Sequence, residues 1–305
     1  MGSFKKQLTP SSKFNVWDTP WFNLKLILGC LIILSITLMG IIGQFFWDTE
    51  LAYTGSSPLN LPPFGFEGIR GKLGLISHPL GTENSGRDML ALLIVGAPNT
   101  LIIGVVAAVI GMSVGILLGF TSGYLGGRVD DVIRLISDVT ITIPALMILV
   151  VINALLRQID IITMALLIAL FIWPSPTRLI RSQVLSMKQS GYIKMARLSG
   201  ASNFHIMFKE MLPNLIPYLF GSFIAGTTGA ILAAVGLETL GLGPQRVPTL
   251  GGIIYDAINS AALFRNMWWW WLSPTILLAA MFVGLLLINL GLDQVSNPRL
   301  RKSSK

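Results

Sequence analysis

Long apolar runs dominate this chain. A helix needs about 20 apolar residues to cross the hydrocarbon layer of a bilayer. Six runs reach that length, and they cover residues 24–46, 92–121, 131–156, 160–180, 214–240 and 271–292. They predict an all-α polytopic membrane protein with about six transmembrane helices. A shorter run, 253–264, contains Asp256 and Asn259, and it predicts an interfacial or re-entrant helix.

The composition excludes a soluble globular domain of this size. Of the 305 residues, 53% are hydrophobic and only 12% are charged, and the mean hydropathy is +0.71. The single cysteine, Cys30, lies in the first apolar run, so no disulfide or cysteine-based metal site is expected within the chain. That run is too long for the apolar region of a signal peptide, so we expect a retained helix.

The positive charges predict the orientation. With a cytoplasmic N-terminus, 16 of the 22 Lys and Arg residues fall on the cytoplasmic side, as the positive-inside rule requires. The uneven placement of the positive residues thus explains the net charge of +8 by membrane orientation, and no nucleic-acid partner is expected. The predicted division is a cytoplasmic segment 1–23, a first transmembrane helix 24–46, an extracytoplasmic loop 47–91, a core 92–295 and a cytoplasmic tail 296–305.

A polar, basic island, residues 191–217, separates the fourth and fifth apolar runs. It predicts two short helices joined at Gly200, the first of them over 188–199. Glycine suits the left-handed position that follows a helix, and Ser202 or Asn203 can cap the second helix by accepting a backbone N–H bond. Such a corner between two spans is suited to contact with a partner outside the membrane.

The island resembles the cytoplasmic EAA loop of ABC-importer permeases. Ala196, Gly200 and the pair Leu212 and Pro213 stand where that loop has its last alanine, its glycine and its closing Leu-Pro. Lys194 departs from the family, which has a glutamate there. Further segments that resemble the second permease subunit of peptide-type importers are residues 80–88, 123–130, 236–243 and 297–299.

The resemblance implies the type I ABC importer permease fold and a place in a prokaryotic inner membrane. It also implies a function, which is to form the translocation pathway for short peptides. The expected partners are two cytoplasmic ABC ATPase subunits, a second homologous permease subunit and an extracytoplasmic solute-binding protein. Short oligosaccharides or nickel chelates are alternative cargoes. The alternative of a different class is a membrane scaffold or channel without ATP coupling, which would not need the island.

The resemblance also implies that a loop over residues 182–213, here called the coupling loop, contacts the ATPase. The residues expected to serve this contact are Tyr192, Lys194, Ala196, Arg197, Gly200, Ala201, Glu210, Leu212 and Pro213. Ala196 is small and is expected to face the ATPase.

Small residues recur at every fourth position in two of the apolar runs. The stripe of the second run comprises Gly111, Gly115, Gly119, Gly123 and Gly127. Gly221, Ala225 and Gly229 form a shorter stripe in the fifth run. Small residues on one face let helix backbones approach closely in lipid. The stripes predict central helices, and they serve either packing within the chain or a surface that slides during transport.

Two carboxylates fall where a charge is costly. Asp138 lies in the third run and Glu238 near the end of the fifth. An ionisable residue at such a position indicates a function unless a partner pairs with it. Arg134 is the expected partner of Asp138 and Arg246 that of Glu238, so each carboxylate is either part of a structural pair or part of the pathway or gate. Four consecutive tryptophans, 268–271, predict an aromatic belt at the membrane interface.

Motifs typical of enzymes are missing from the sequence. It contains no Gly-x-x-x-x-Gly-Lys-Ser/Thr phosphate loop, so ATP hydrolysis is expected of partner subunits. The two histidines, His78 and His205, are predicted on opposite sides of the membrane. Neither a histidine metal site nor a Ser-His-Asp triad is therefore expected. We expect no enzymatic activity and no cofactor.

Overall fold

The computed structural model describes residues 23–68, 71–156 and 158–296, and helices make up most of this part of the chain. The predictions for the N-terminal residues 1–22 and for the tail from residue 297 lie outside the described residues. The helices of the first half are α1 (Leu24–Phe46), α2 (Met89–Leu125), α3 (Gly127–Thr142), α4 (Ala145–Leu155), α5 (Ile161–Ile172) and α6 (Pro174–Lys188).

The second half begins with the short helices α7 (Gly191–Leu198) and α8 (Asn203–His205). A π-helical turn, Ile206–Met211, continues α8 into α9 (Leu212–Glu238). The chain ends with α10 (Leu250–Asn259) and α11 (Trp268–Ser296). Helix α10 matches the predicted short helix, although it begins three residues earlier, because Thr249 caps its N-terminus.

Within the described residues, four helices are long and apolar enough to cross a membrane, and the number of such segments rises to as many as six if each bent pair counts as one span. The pair α3 and α4 is bent by 77°, and the pair α5 and α6 by 44°. Pro144 precedes α4 and Pro174 begins α6. Proline lacks a backbone donor and crowds the preceding turn, which explains the bends. The third and fourth apolar runs thus form bent pairs rather than straight helices.

Helix α2 is the centre of the bundle. Its 37 residues span about 55 Å, and it contacts α1, α3, α5, α6, α9, α10 and α11. Asp88 caps its start by accepting a hydrogen bond from the Ala91 amide at 2.8 Å. Its two ends therefore lie at opposite ends of the bundle, one beside residues 47–88 and the other beside the coupling loop.

The segment 47–88, described apart from residues 69 and 70, covers one end of the bundle with turns. Asp88 holds this segment together, because its carboxylate accepts a hydrogen bond from Trp47 Nε1 at 3.0 Å and lies 2.9 Å from His78 Nδ1. Trp269 Nε1 donates to the Thr82 carbonyl at 3.1 Å. Trp269 is 4% exposed and Trp270 is fully buried. The prediction of an aromatic belt is therefore wrong for these two side chains, because the segment packs over them.

Candidate functional site

The corner of the coupling loop has the geometry that the sequence predicts, with one boundary moved. Gly200 has φ +79°, the left-handed conformation that ends α7. The Ser202 hydroxyl oxygen accepts a hydrogen bond from the His205 amide at 3.2 Å and caps α8. The first helix begins at Gly191 rather than at Lys188. Lys188 still belongs to α6, and Ser190 takes an extended conformation that separates the two helices.

Helix α7 is anchored to the bundle by one side chain. Ile193 is 1% exposed and belongs to an apolar cluster with Val184 of α6 and Ile206 of the π turn. Ala196 is half-buried and packs partly against the same cluster, and its contact with an ATPase stays a prediction. The outward face of α7 carries three exposed apolar side chains, namely Tyr192, Met195 and Leu198.

Tyr124, near the end of α2, connects that helix to the coupling loop. Its hydroxyl donates to Asn203 Oδ1 at 2.7 Å, and its carbonyl accepts from Lys188 Nζ at 2.7 Å. Lys188 Nζ and the Arg197 guanidinium lie 5.5 and 5.8 Å from its ring centre, within the range of cation–π attraction. Any rotation of α2 relative to α6 therefore acts directly on the base of the loop.

The other predicted loop residues divide into a buried and an exposed group. Ala201 and Leu212 pack against the apolar cluster that holds Ile193. Lys194 and Pro213 are exposed, and Glu210 Oε1 lies 3.8 Å from His205 Nε2. Pro213 is the second residue of α9 and directly follows the π-helical turn, where its missing amide removes one hydrogen bond from the continuous helix.

The glycine stripe of α2 is the contact surface for α5 and α6. An ideal Cβ on Gly111 would lie 2.8 Å from Ile172, one on Gly115 2.7 Å from Pro176, and one on Gly119 2.8 Å from the Thr177 carbonyl oxygen. Gly123 similarly meets Val184 at 2.9 Å. Since these distances are shorter than van der Waals contact, the stripe packs within the chain.

Three predicted members of the stripes do not pack in this way. Gly127 lies beyond α2 with φ +57°, so it belongs to the turn and not to the stripe. Gly221 and Gly229 of α9 have no described atom within 4 Å of an ideal Cβ. The shorter stripe is thus an open face within the described residues, not an intrachain contact.

Ion pairs join α3 to α6 beside the stripe. Asp130 accepts two hydrogen bonds from Arg181, at 2.5 and 2.6 Å, and one from the Ser122 hydroxyl. Asp138 pairs with Arg178, whose Nε lies 3.0 Å away. Arg134 Nε is 3.8 Å from Asp138, so Arg134, the expected partner, is the more distant of the two arginines that face Asp138. The sequence distance of four residues suggested the local pair, whereas α6 supplies the better-placed guanidinium.

At the opposite end, Arg87 fixes residues 47–88 to α10. Its guanidinium donates to Glu83 at 2.9 Å and to Asp256 at 2.7 Å. Burial by itself would lower the pKa of Arg87, but the hydrogen bonds to these two carboxylates outweigh it and the pKa is raised. Arg87 is therefore charged at every physiological pH and acts as a permanent electrostatic bridge.

Glu238 ends α9 at the same end of the bundle. It is 1% exposed, and no ion pair with Arg246 is formed within the described residues, so the expected structural pair is wrong. Both residues instead line a cavity of about 340 Å³ between the end of α9, residues 241–249 and α10. No group of three or more His, Cys, Asp or Glu side chains with metal-binding geometry occurs within the described ranges.

The family of the chain follows from a comparison with known protein families. The model for the binding-protein-dependent transport system inner membrane component matches residues 111–302. That range contains the glycine stripe, the coupling loop and Glu238. The chain belongs to this family. It is accordingly a multi-pass inner membrane component.

Relatives of this inner membrane component cover most of its length. The chain is 31% identical to the oligopeptide transport system permease protein OppC of Lactococcus lactis subsp. lactis IL1403. This match covers 73% of the chain and 76% of the relative. The chain is 30% identical to the di/tripeptide transport system permease protein DppC of Pseudomonas aeruginosa UCBPP-PA14, over 97% of the chain and 95% of the relative.

A solved structure shares the fold of this inner membrane component. A chain of the MetNI methionine ABC transporter, determined in inward facing conformations, superposes with a TM-score of 0.53. The match covers 67% of this chain and 97% of that chain at 20% sequence identity. The prediction of the type I ABC importer permease fold is confirmed.

Several residues of this inner membrane component that hold the site together were missed by sequence reasoning. Tyr124 lies in the segment 123–130, which the sequence indicates only through its resemblance to the family. Arg178 and Arg181 contribute to the predicted cytoplasmic charges, but the sequence names no partner for them. An aromatic hydroxyl two residues before the Gly126-Gly127 pair is a signal that could have indicated Tyr124. The choice of ion-pair partners carried no comparable signal, because it depends on how α3 and α6 meet.

Proposed function

We propose that the chain forms the translocation pathway of an ATP-driven importer of short peptides. The observation that carries this proposal is similarity over nearly the whole chain to permeases named for oligopeptide and di/tripeptide transport. Under this proposal the N-terminus and the coupling loop are cytoplasmic, and residues 47–88 cover the outer end of the bundle.

Two cytoplasmic ABC ATPase subunits are the proposed energy source. Helix α7 suits contact with one of them, because it exposes Met195 and Leu198 while Ile193 fixes it to the bundle. A rigid corner transmits the movement of a docked partner without absorbing it. Tyr124 would pass that movement to α2, and two packing states of the bundle would then give alternating access.

A second homologous permease subunit and an extracytoplasmic solute-binding protein complete the proposed assembly. An apolar cavity of about 480 Å³, lined by Met112 of α2, Ser175 of α6 and Phe223 of α9, opens beside the glycine face of α9. The small residues Gly226 and Gly229 lie along it and leave room for another subunit or for cargo. The solute-binding protein would deliver its peptide at the end formed by residues 47–88.

Uptake by reconstituted vesicles tests this function. The chain, its partner permease and the ATPase subunits are placed in vesicles with ATP inside, and uptake of radiolabelled dipeptides and tripeptides is measured with the solute-binding protein outside. We expect uptake only when both ATP and the binding protein are present. Equal uptake without ATP would favour a channel, and a binding protein that accepts only oligosaccharides or nickel chelates would refute the peptide cargo.

A further inference from the structure

The Glu238 carboxyl group is buried with incomplete hydrogen bonding. Both of its oxygens are shielded from solvent, and neither has a hydrogen-bond partner of normal geometry among the described residues. The Thr249 hydroxyl and the amides of Gly251 and Gly252, at the start of α10, are the weak donors that face it. Buried carboxylates are almost always fully hydrogen-bonded or paired, because the loss of hydration is otherwise uncompensated. A further donor that enters the cavity would complete its hydrogen bonding.

The backbone around Glu238 leaves room for the carboxylate and for nothing larger. An ideal Cβ on Gly251 would lie 2.1 Å from its Oε2, and one on Gly243 would lie 2.7 Å from its Cγ. Gly243, in the turn after α9, and Gly251, in α10, thus both pack directly against the Glu238 side chain. Any other residue at either position would force the carboxylate away from the floor of the cavity.

The cavity above Glu238 has a size and a polarity that suit a small charged ligand. Its volume of about 340 Å³ lies in the range of small-molecule sites. Arg246 stands at its exposed rim and makes no ion pair with any described residue. A second guanidinium in the lining, that of Arg87, is already held by Glu83 and Asp256. The cavity therefore presents one buried carboxyl group with incomplete hydrogen bonding and one exposed guanidinium that has no ion pair among the described residues.

We propose that this cavity is a binding site for the charged ends of a zwitterionic short peptide. The Glu238 carboxylate accepts hydrogen bonds from the peptide ammonium group, and the Arg246 guanidinium donates to the peptide carboxylate. Both contacts are charge-assisted, which makes them stronger than neutral hydrogen bonds. This site rests on the proposed function for its cargo class, and it adds a step of recognition by the permease chain after the solute-binding protein has released the peptide.

Binding to the permease–ATPase complex without its solute-binding protein tests the site. The complex is embedded in nanodiscs, and equilibrium dialysis measures the affinity of radiolabelled Ala-Ala, N-acetyl-Ala-Ala and Ala-Ala amide. We expect at least tenfold weaker binding of each blocked peptide. Glu238→Gln should weaken Ala-Ala at least tenfold and remove the difference between the free and the acetylated peptide. Arg246→Gln should remove the difference between the free peptide and the amide.

Two variants separate this effect from damage to the fold. Glu67→Gln removes an exposed carboxylate of the same 47–88 segment that does not line the cavity, and it should bind as the wild type does. Glu238→Asp keeps the charge and should retain the preference for the free ammonium group.

Equal affinity for the free and acetylated peptides in the wild type, or no binding at all, would overturn the site, as would methylammonium binding as tightly as Ala-Ala. If the complete importer still takes up Ala-Ala, the proposed function survives that result, whereas absence of uptake refutes the proposed function itself.

Discussion

At the residue scale, Gly200 and Gly191 lie at the two ends of α7 but differ in what they require. An ideal Cβ at either position has no described atom within 4 Å. Only Gly200 has a positive φ, +79°, where a side chain crowds the carbonyl that follows it. The need for glycine at position 200 is therefore purely conformational.

This difference gives a matched pair of variants. Gly200→Val should destabilise the corner by about 1–2 kcal/mol, because it places a β-branched residue in a left-handed conformation. Gly191→Val should have little effect. We expect both proteins at wild-type levels in the membrane, with ATPase subunits co-purifying poorly only with Gly200→Val. Normal co-purification and peptide uptake by Gly200→Val would show that the corner does not couple the permease to the ATPase.

At the scale of the elements, α2 and α6 approach each other as closely as their backbones allow. Gly119 meets the Thr177 carbonyl, and Gly123 lies 3.0 Å, measured from an ideal Cβ, from the Arg181 carbonyl. The ion pair between Asp130 and Arg181 closes the same interface at its end. Helix packing thus holds α6 to α2, and the ion pair holds α6 to α3. Both contacts fix the base of the coupling loop.

Gly119→Leu should force α6 away from α2 and destabilise the chain by about 1–3 kcal/mol or more, since the obstacle is backbone rather than a movable side chain. Gly221→Leu, on α9, is the control, because the described structure leaves space there. The melting temperature of each purified variant in detergent checks this prediction. A melting temperature of Gly119→Leu equal to that of Gly221→Leu would contradict the close packing.

At the scale of the whole molecule, the two ends of the bundle have opposite characters. Residues 47–88 form a fixed cover, with Arg87, Asp88 and Trp269 bound into it. The other end exposes apolar side chains on the short helices α7 and α8, among them Leu198 and Phe204. A sealed end and a docking end fit a protein that receives cargo on one side of a membrane and energy on the other.

Cysteine labelling tests which end faces the cytoplasm. With Cys30 replaced by serine, Met195→Cys should react in intact cells only with a membrane-permeant maleimide, whereas Phe64→Cys should also react with an impermeant one. Both positions are exposed in the structure, and the chain is produced without the ATPase subunits so that docking does not shield residue 195. Reaction of residue 195 with the impermeant reagent would show that the coupling loop faces outward, which is the reverse of the expected orientation.

The sequence by itself determined the helices and the corner of this protein. Apolar length decides which segments can cross a membrane, and the spacing of Gly111, Gly115 and Gly119 specifies a contact face, because both properties are local. Gly200 is also predictable, since its conformation depends on its own backbone. The tertiary structure alone decided which groups meet. Asp138 pairs with Arg178 of α6, Trp269 donates to the Thr82 carbonyl, and Glu238 makes no ion pair with Arg246 although both line one cavity. These outcomes depend on distances between elements far apart in sequence, which no local pattern records.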